Sequence, residues 1–384
     1  MRDARPATGP SIIHGDDRNT FRYRQAYEFL DQARHAEAHL LWRSIFDDTA
    51  DPQDGLSAAI AAFRIGAWKE AWSLYENRYL RNPSSCLTSI TCAETGKKIP
   101  LWSAGPPPDR LLVIAEQGLG DTFQFARYLP RLLEAGVEVT LAEWPRLHPI
   151  LSTLHPALKL AARGEAITHE AGDAFVRLLS LPLRMGIFDP FFDAPYFRVR
   201  EAPTSRWSRV LDRGKLNIGL VWQGNPDHEH DFKRSISLEL FAPLFERAEF
   251  RIVSLQYADG AEQVNSASFG PKLVLPKGLF SGRSSFLKTA SLLSELDGIV
   301  TVDTASAHIA GALGCPVYLL LHAPDPDWRW GINSTSTAWY PETRIFRQRT
   351  HGVWADVIDT LTTELLELAQ SRRRLSPSPE DRGL

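Results

Sequence analysis

From Asp109 onwards, short apolar runs alternate with amphipathic segments, and this alternation begins a second time at Asn217. Residues 111–115 have the length and apolar content of a buried strand, whereas residues 122–134 show helical periodicity and are followed by Gly136. Strands separated by helices pair in parallel through right-handed crossovers. The sequence therefore predicts an α/β fold with two consecutive open sheets.

Both halves share a strand, helix, strand order. We expect strands at residues 111–115, 137–142, 158–161, 175–179, 218–222, 251–255, 298–302 and 317–321, and helices at residues 122–134, 238–247, 284–296, 306–313 and 354–370. In open sheets of this kind, ligands bind beyond the carboxyl ends of the strands. Two such sheets place these ends across a cleft, where we expect the functional site.

Composition narrows the function classes. The chain has 384 residues, which exceeds a single core at roughly 100–200 residues per domain. Its formal net charge is −3, so no bulk field attracts nucleic acid and any phosphate recognition must be local. The three cysteines fit neither a disulfide framework nor a C-x-x-C pattern. We expect a cytoplasmic protein that does not bind nucleic acid.

One stretch, residues 304–324, has no Asp, Glu, Lys or Arg and is about as long as a membrane span. It contains Ser306, His308 and Pro316, so it predicts a short helix followed by a buried strand. The polar residues 1–20 lack the apolar stretch of a signal peptide. We therefore expect neither a transmembrane segment nor export.

Residues 21–83 are helical in pattern and repeat at a spacing of 33 residues. Ala38 and Ala71 form one such pair, and Trp42 and Tyr75 form another. A small residue followed four positions later by an aromatic one resembles the tetratricopeptide repeat. Two repeats do not bury their faces alone, so we expect them to dock on the rest of the chain or on another subunit. The alternative is two helical hairpins with incidental aromatic residues.

These patterns divide the chain into six predicted segments. They are a disordered N-terminus (1–20), the helical repeats (21–83), a linker with three consecutive prolines (84–108), an N-terminal Rossmann-like domain (109–205), a C-terminal Rossmann-like domain (206–370) and a charged, disordered tail (371–384).

A glycine-rich turn lies between the first predicted strand of the first half and its helix; it reads Glu116-Gln117-Gly118-Leu119-Gly120-Asp121. Glycines at this place let a phosphate or substrate approach the backbone and the helix N-terminus. The dinucleotide fingerprint G-x-G-x-x-G fails, because Phe123 occupies the third glycine position. Asp121 is either a cap of the following helix or a general base at the mouth of the cleft.

A second motif follows a strand of the second half; it reads Asp303-Thr304-Ala305-Ser306-Ala307-His308. Asp303 or Thr304 can cap the helix while its free N–H groups and its dipole face an anion such as a diphosphate. His308 lies roughly one turn inside this helix. It either touches phosphate or is a buried structural histidine.

A third motif, Trp222-Gln223-Gly224-Asn225-Pro226, ends the first strand of the second half and leads to Lys233 and Arg234. These two cations either neutralise a leaving diphosphate or form a solvated surface pair.

Aromatic residues crowd the region after the last predicted strand, as Trp328-Arg329-Trp330 and Trp339-Tyr340. They either stack on a ligand or close the second core.

Two acidic segments contain metal-ligating residue types. Asp325 and Asp327 have the D-x-D spacing that can hold a divalent cation against a diphosphate. Residues 227–231 are Asp, His and Glu in direct succession, without the spacing that two ligands on one helix face require. Solvated loops explain both segments, and we expect no metal.

The absence of a G-x-S-x-G elbow and of a P-loop disfavours serine hydrolases and P-loop NTPases.

Together these motifs resemble the heptosyltransferase-like enzymes of glycosyltransferase family 9 and, more closely, the bacterial tetratricopeptide-repeat glycosyltransferases. The resemblance covers about residues 21–370. It rests on Asp303 and Thr304 with His308, Ala310 and Pro316, and on residues 116–122, 221–226, 254–256 and 327–330. It implies a GT-B architecture, in which two Rossmann-like domains face a cleft and the nucleotide lies on the C-terminal one.

The same resemblance implies roles by matching position. Asp121 would be the catalytic base, and Lys233 would bind the phosphate. The implied donor-binding residues are Trp222, Gly224, Asn225, Lys233, Arg234, Gln256, Asp303, Thr304, Ala305 and His308, and the acceptor-side loop contains Glu116, Gln117, Gly118 and Gly120. Such enzymes use no cofactor beyond the nucleotide-sugar, which is a substrate, and they do not need a metal.

Our leading hypothesis is an inverting glycosyltransferase that moves a sugar from a nucleotide-activated donor to a protein or glycan acceptor presented by the helical repeats. The main alternative is a scaffold protein with a degenerate transferase module. An NAD-dependent oxidoreductase is a third reading, which Phe123 disfavours.

Overall fold

The computed structural model describes residues 17–81, 88–164, 172–199, 207–282, 284–323 and 326–375. The chain divides into two compact units, residues 1–85 and residues 86–384. The described part of the first unit is helical. The second contains both α/β halves.

Five helices form the described part of the first unit: α1 (Asp17–Asp31), α2 (His35–Thr49), α3 (Pro52–Arg64), α4 (Trp68–Tyr75) and α5 (Asn77–Leu80). Asp51 caps α3, because its carboxylate accepts a hydrogen bond of 2.7 Å from the Gln53 N–H. Pro52 occupies the first helical position, where no N–H partner is needed. Residues 17–20 therefore belong to a helix rather than to the predicted disordered N-terminus, and residues 1–16 lie outside the described range.

The small and aromatic residues of the predicted repeat lie inside this unit. Ala38 and Ala71 are fully buried, and Trp42 and Tyr75 retain at most 8% of their surface. Small side chains allow consecutive helices to approach closely, and α1 packs on α2, α2 on α3 and α3 on α4. The helices are confirmed, whereas their assignment to the tetratricopeptide family stays a prediction. Residues 82 and 83, the last of the predicted repeat segment, lie outside the described residues.

Part of the predicted linker folds as a hairpin of β1 (Ser89–Thr91) and β2 (Lys98–Pro100), which pair antiparallel. Its apolar residues Ile90 and Ile99 pack against Leu112 and Phe175 of the first α/β half. The linker prediction is therefore wrong for this stretch, because three-residue strands leave too little periodicity to detect.

The first α/β half contains a four-stranded parallel sheet in the order β5-β4-β3-β6. Its strands and helices are β3 (Arg110–Ile114), α6 (Leu119–Phe125), α7 (Leu129–Glu134), β4 (Glu138–Glu143), α8 (His148–Leu151), β5 (Lys159–Ala162), β6 (Ala174–Arg177) and α9 (Leu181–Met185). A 3-10 turn at Ala126–Tyr128 separates α6 from α7, where one continuous helix was predicted. Pro130 lies in the first turn of α7 and cannot continue a helical hydrogen-bond ladder.

The second α/β half contains a five-stranded parallel sheet in the order β11-β10-β9-β7-β8. Its strands and helices are β7 (Leu216–Val221), α10 (Asp231–Arg234), α11 (Ala242–Phe245), β8 (Phe250–Ser254), α12 (Ser285–Leu293), β9 (Gly298–Val302), α13 (Ala305–Ala312), β10 (Val317–Leu321), β11 (Thr343–Arg347) and α14 (Ala355–Leu375). The buried residues Leu220, Val300 and Leu320 belong to one core that α14 covers through Leu361 and Leu365.

Three features of this half differ from the sequence prediction. Strand β11 was missed, because Arg344 and Arg347 interrupt its apolar pattern. The helix predicted at residues 238–247 is a 3-10 turn followed by the short α11. Residues 371–375 continue α14 and are not part of a disordered tail. Within the described ranges, no helix combines the length and apolarity needed to cross a membrane.

Candidate functional site

The glycine-rich turn connects β3 to α6 at the carboxyl edge of the first sheet. Gly118 is the N-cap of α6, and Asp121 occupies the third helical position. Its carboxylate reaches back and accepts a hydrogen bond of 2.9 Å from the Gly118 N–H. Asp121 therefore makes the carboxylate half of a capping box rather than serving as the N-cap itself, since Gly118 has no side chain to make the other half. Of the other loop residues, Glu116 is buried and accepts from the Leu179 N–H, and Gln117 has a φ of 60°.

Helix α6 packs directly against α13 of the second half through Gly120. A Cβ atom at residue 120 would lie 2.7 Å from His308 Cδ2 and 3.6 Å from the Ala305 Cα. The first distance is shorter than real Cβ contacts, so only glycine fits without displacement. The structure thus brings together the glycine-rich turn and the helix of the second motif, although they are far apart in sequence.

Thr304 begins α13 as its N-cap and accepts a hydrogen bond of 3.3 Å from the Ser306 N–H. The side chain of Asp303 does not cap the helix. Burial and the nearby carboxylate of Asp327 raise the pKa of Asp303 to about 6. The main-chain carbonyl of Asp303 accepts a hydrogen bond of 2.9 Å from Arg234, which fixes the approach to the helix.

His308 is buried beneath aromatic side chains. Its Nδ1 lies 3.0 Å from the Tyr340 hydroxyl, and its ring stacks on Trp330 with centroids 5.1 Å apart. Burial lowers the pKa of His308 well below its usual value, and the charges of Arg329 and Arg127 lower it further. The ring is therefore neutral near pH 7 and does not act as a cation toward phosphate.

Arg329 is a functional candidate that the sequence did not single out. It comes from a 3-10 turn of the second half, Trp328–Trp330, and is 9% exposed. Its guanidinium donates at 2.5 Å to a carboxylate oxygen of Asp121 and at 2.5 Å to the side-chain oxygen of Gln124, both on α6. It also pairs with Asp327 at 2.9 Å. Arg329 therefore connects the predicted base to the second half.

Arg127 makes the reverse connection. It follows α6 in the first half and donates at 2.9 Å to the Trp339 carbonyl of the second half. Its guanidinium carbon lies 4.7 Å from the ring centroid of Tyr340, also in the second half. Further hydrogen bonds go to the Phe191 carbonyl at 2.6 Å and to the Tyr196 hydroxyl at 3.2 Å. Two buried arginines thus cross between the halves in opposite directions.

The charge state of Asp121 follows from these contacts. Its side chain is 18% exposed. Burial raises the pKa of Asp121, whereas the positive charge of Arg329 and the Gly118 N–H oppose that rise. Asp121 is therefore a carboxylate with a raised proton affinity that two donors hold at the interface of the two halves.

Two predicted donor-binding residues are used by the fold. Trp222 is fully buried, and its indole N–H donates at 3.1 Å to the Gly260 carbonyl. The side-chain oxygen of Gln256 accepts from the main-chain N–H of Trp222 at 2.9 Å and of Gln223 at 3.1 Å. Its amide nitrogen donates to the carbonyls of Gln223 and Asp259. We therefore assign both side chains to holding the loop after β7.

The predicted basic pair separates into two environments. Arg234 donates at 2.9 Å to Asp231, and a side chain at Gly224 would collide with this ion pair. Lys233 is half-exposed, and no carboxylate within the described residues pairs with it. The side-chain oxygen of Asn225, an exposed residue, accepts from the Asp227 N–H. Of these two cations, Lys233 is the one without a carboxylate partner among the described residues.

The predicted acidic segments lie in two different settings. Asp327 caps the turn at Trp328–Trp330 and pairs with Arg329, while Asp325 lies outside the described residues. Asp231 is buried against Arg234 and Ser235. Across the part of the chain that the structure describes, no three His, Cys, Asp or Glu side chains group as metal ligands.

Comparisons with known proteins give distant similarities, and no family model matches the chain. Protein FlbA of Caulobacter vibrioides is 25% identical over 338 residues, which cover 81% of this chain and 54% of FlbA. The chain therefore spans about half the length of this curated relative.

Solved structures are similar at a lower level of identity. The ADP-heptose lipopolysaccharide heptosyltransferase II of E. coli has a TM-score of 0.49 and 16% identity, covering 69% of this chain and 99% of that one. The dodecameric iron-containing heptosyltransferase TibC, in complex with ADP-D-beta-D-heptose, has a TM-score of 0.48 and 12% identity. The match covers 71% of this chain and 79% of TibC. A glycosyltransferase family 9 protein of Veillonella parvula has a TM-score of 0.47 and 14% identity. The match covers 69% of this chain and 99% of that protein.

Replacing Gly120 tests the contact between α6 and α13. Gly120→Ala should destabilise the second unit by about 1–3 kcal/mol, because the new methyl group meets a histidine ring that Tyr340 and Trp330 hold in place. A thermal melt monitored by tryptophan fluorescence measures the change. Gly214→Ala is the control, since its Cβ would lie no closer than 3.4 Å to the nearest side chain. Equal melting temperatures for the two variants would contradict the packing described.

Proposed function

We propose that this chain is an inverting glycosyltransferase that transfers a sugar from a nucleotide-activated donor to a hydroxyl group of a protein or glycan acceptor. The observation that carries the proposal is the direct meeting of the Asp121 turn with the N-terminus of α13 through Gly120. Such a transfer requires a base and an anion-binding helix N-terminus. Here both would lie at the carboxyl edges of two parallel sheets that face each other. The motif resemblance of the sequence supports the same reaction.

The donor diphosphate is assigned to the N-terminus of α13. The first main-chain N–H groups of this eight-residue helix and its dipole favour an anion near Thr304 and Ala305. Lys233 adds a cation that no described carboxylate neutralises. As the bond to the anomeric carbon breaks, these groups stabilise the charge that develops on the departing nucleoside diphosphate.

Asp121 is assigned the role of the base. It takes the proton from the acceptor hydroxyl while that oxygen attacks the anomeric carbon from the side opposite the leaving group, which inverts the centre. Arg329 opposes the rise in the pKa of the buried carboxyl and fixes its orientation through a hydrogen bond of 2.5 Å. Arg329 is therefore a positioning residue for the proposed reaction.

The remaining parts of the proposal concern partners and setting. The nucleotide-sugar is a substrate, and no cofactor or metal takes part, because the helix end and Lys233 supply the charge stabilisation. The helical first unit recruits the acceptor and contributes to any oligomer, and the protein acts in the cytoplasm.

Asp121→Asn tests the base. The substitution keeps the size of the side chain but removes its proton affinity, so transfer should fall by roughly 10²–10⁴-fold while donor affinity stays the same. A strain that lacks the gene should miss a sugar mass in its acceptor pool. The wild-type gene should restore that mass in mass spectra, and the variant should not. Full restoration by Asp121→Asn would refute the base, and a pool unchanged by the deletion would favour a non-catalytic scaffold.

Arg329→Met tests the positioning residue through pH. Because Arg329 lowers the pKa of Asp121, its loss raises that pKa, and the acidic limb of kcat/KM should move to higher pH. Arg329→Lys retains a positive charge and should move the limb less. The measurement is the pH profile of nucleoside diphosphate release. An acidic limb that stays at the wild-type pH in the Met variant would show that Arg329 does not act on the base.

Lys233→Ala tests the donor site. Loss of one charge-assisted contact should weaken nucleoside diphosphate binding by about 10–100-fold, which isothermal titration calorimetry measures across the common bases. Thr304→Trp should also weaken it, by filling the space at the helix end. Lys215→Ala is the matched control, because Lys215 directly precedes β7 at the opposite edge of the sheet. Affinity unchanged by both Lys233→Ala and Thr304→Trp would reject this donor site.

A further inference from the structure

An exposed tryptophan lies at the functional edge of the first sheet. Trp144 directly follows β4 and retains 46% of its surface. Strand β4 pairs with β3, whose carboxyl end leads into the Asp121 turn. Since carboxyl ends of parallel strands share one edge, the indole lies on the same side of the sheet as the proposed base.

A buried carboxylate connects this tryptophan to the base. Glu143 is 1% exposed, and one of its oxygens accepts a hydrogen bond of 2.6 Å from the Trp144 N–H. The other oxygen accepts a hydrogen bond of 2.5 Å from the hydroxyl of Thr122, the residue after Asp121. One side chain therefore fixes the main chain beneath Trp144 and the helix turn that carries Asp121.

Two arginines accompany the indole. Trp144, Pro145 and Arg146 line a cavity of about 400 Å³. The guanidinium carbon of Arg163 lies 5.4 Å from the Trp144 ring centroid, and its main-chain N–H donates to the Glu143 carbonyl. Neither arginine pairs with a carboxylate anywhere in the described ranges. The indole and Arg146 thus line the cavity, and the guanidinium of Arg163 lies beside the same indole ring.

This combination selects a ligand class. A flat aromatic face packs against the C–H face of a pyranose ring, and guanidinium groups bind carboxylate or phosphate. Strand β4 is paired on both sides, by β3 and β5, so an extended peptide cannot bind by adding a strand there. We propose that the cavity at Trp144 is an acceptor subsite for an acidic saccharide. The proposal rests on the proposed transferase function and names the substrate class at its acceptor side.

Paired probes that differ in one group test this subsite. Methyl glucuronide carries a carboxylate where methyl glucoside carries a hydroxymethyl group. Ligand-observed NMR titration of the intact protein should show the glucuronide binding about tenfold more tightly than the glucoside. Trp144→Ala should abolish binding of both, and Trp144→Phe should retain part of it. Arg146→Ala and Arg163→Ala should reduce the preference for the acid.

Three controls separate this inference from the transferase proposal. Trp144→Ala should keep the wild-type melting temperature and nucleoside diphosphate affinity, because its side chain is half-exposed and belongs to the first half, whereas the proposed donor site belongs to α13 of the second half. Asp121→Asn should bind glucuronide normally even though it does not transfer. Glucuronide binding that survives Trp144→Ala, or an acidic peptide that binds in place of both sugars, would overturn the subsite. Full transfer by Asp121→Asn would instead refute the assignment of Asp121 as the base and would not affect the subsite proposed at Trp144.

Discussion

Helix α6 touches α13 only because residue 120 has no side chain. That contact brings the N-terminal turn of α6, in the first half, against Ala305 and His308 of α13, in the second half. The aromatic residues Trp330 and Tyr340 then hold the histidine from behind. Asp121, the next residue of α6, is therefore held close to α13 by this approach.

Two buried arginines complete the same interface. Burying a guanidinium is costly unless hydrogen bonds and opposite charge replace the water that it loses. Arg329 finds these partners on α6, and Arg127 finds them on the main chain and rings of the second half. Each half therefore supplies some of the partners of the other half's arginine. Neither arginine is explained by its own half alone.

The sequence predicted the parts of the fold that have a local signature. Buried parallel strands are continuous apolar runs, so β9 and β10 were predicted at their observed bounds, whereas β11 was missed because arginines break its pattern. The candidate site was predicted less well. The crossing arginines have partners far away in the chain, and no periodicity records such a contact. A motif also cannot tell whether a constrained residue serves a ligand or the fold, and Trp222 and Gln256 serve the fold.

The ion pair between Arg329 and Asp121 crosses the boundary between the two halves, and this has a thermodynamic consequence. Separating the halves removes the positive charge from the carboxylate, so its proton affinity in the open arrangement differs from that in the closed one. By linkage, the protonation of Asp121 and the packing of the two halves against each other each bias the other. A movement that separates the two halves would therefore change the proton affinity of Asp121.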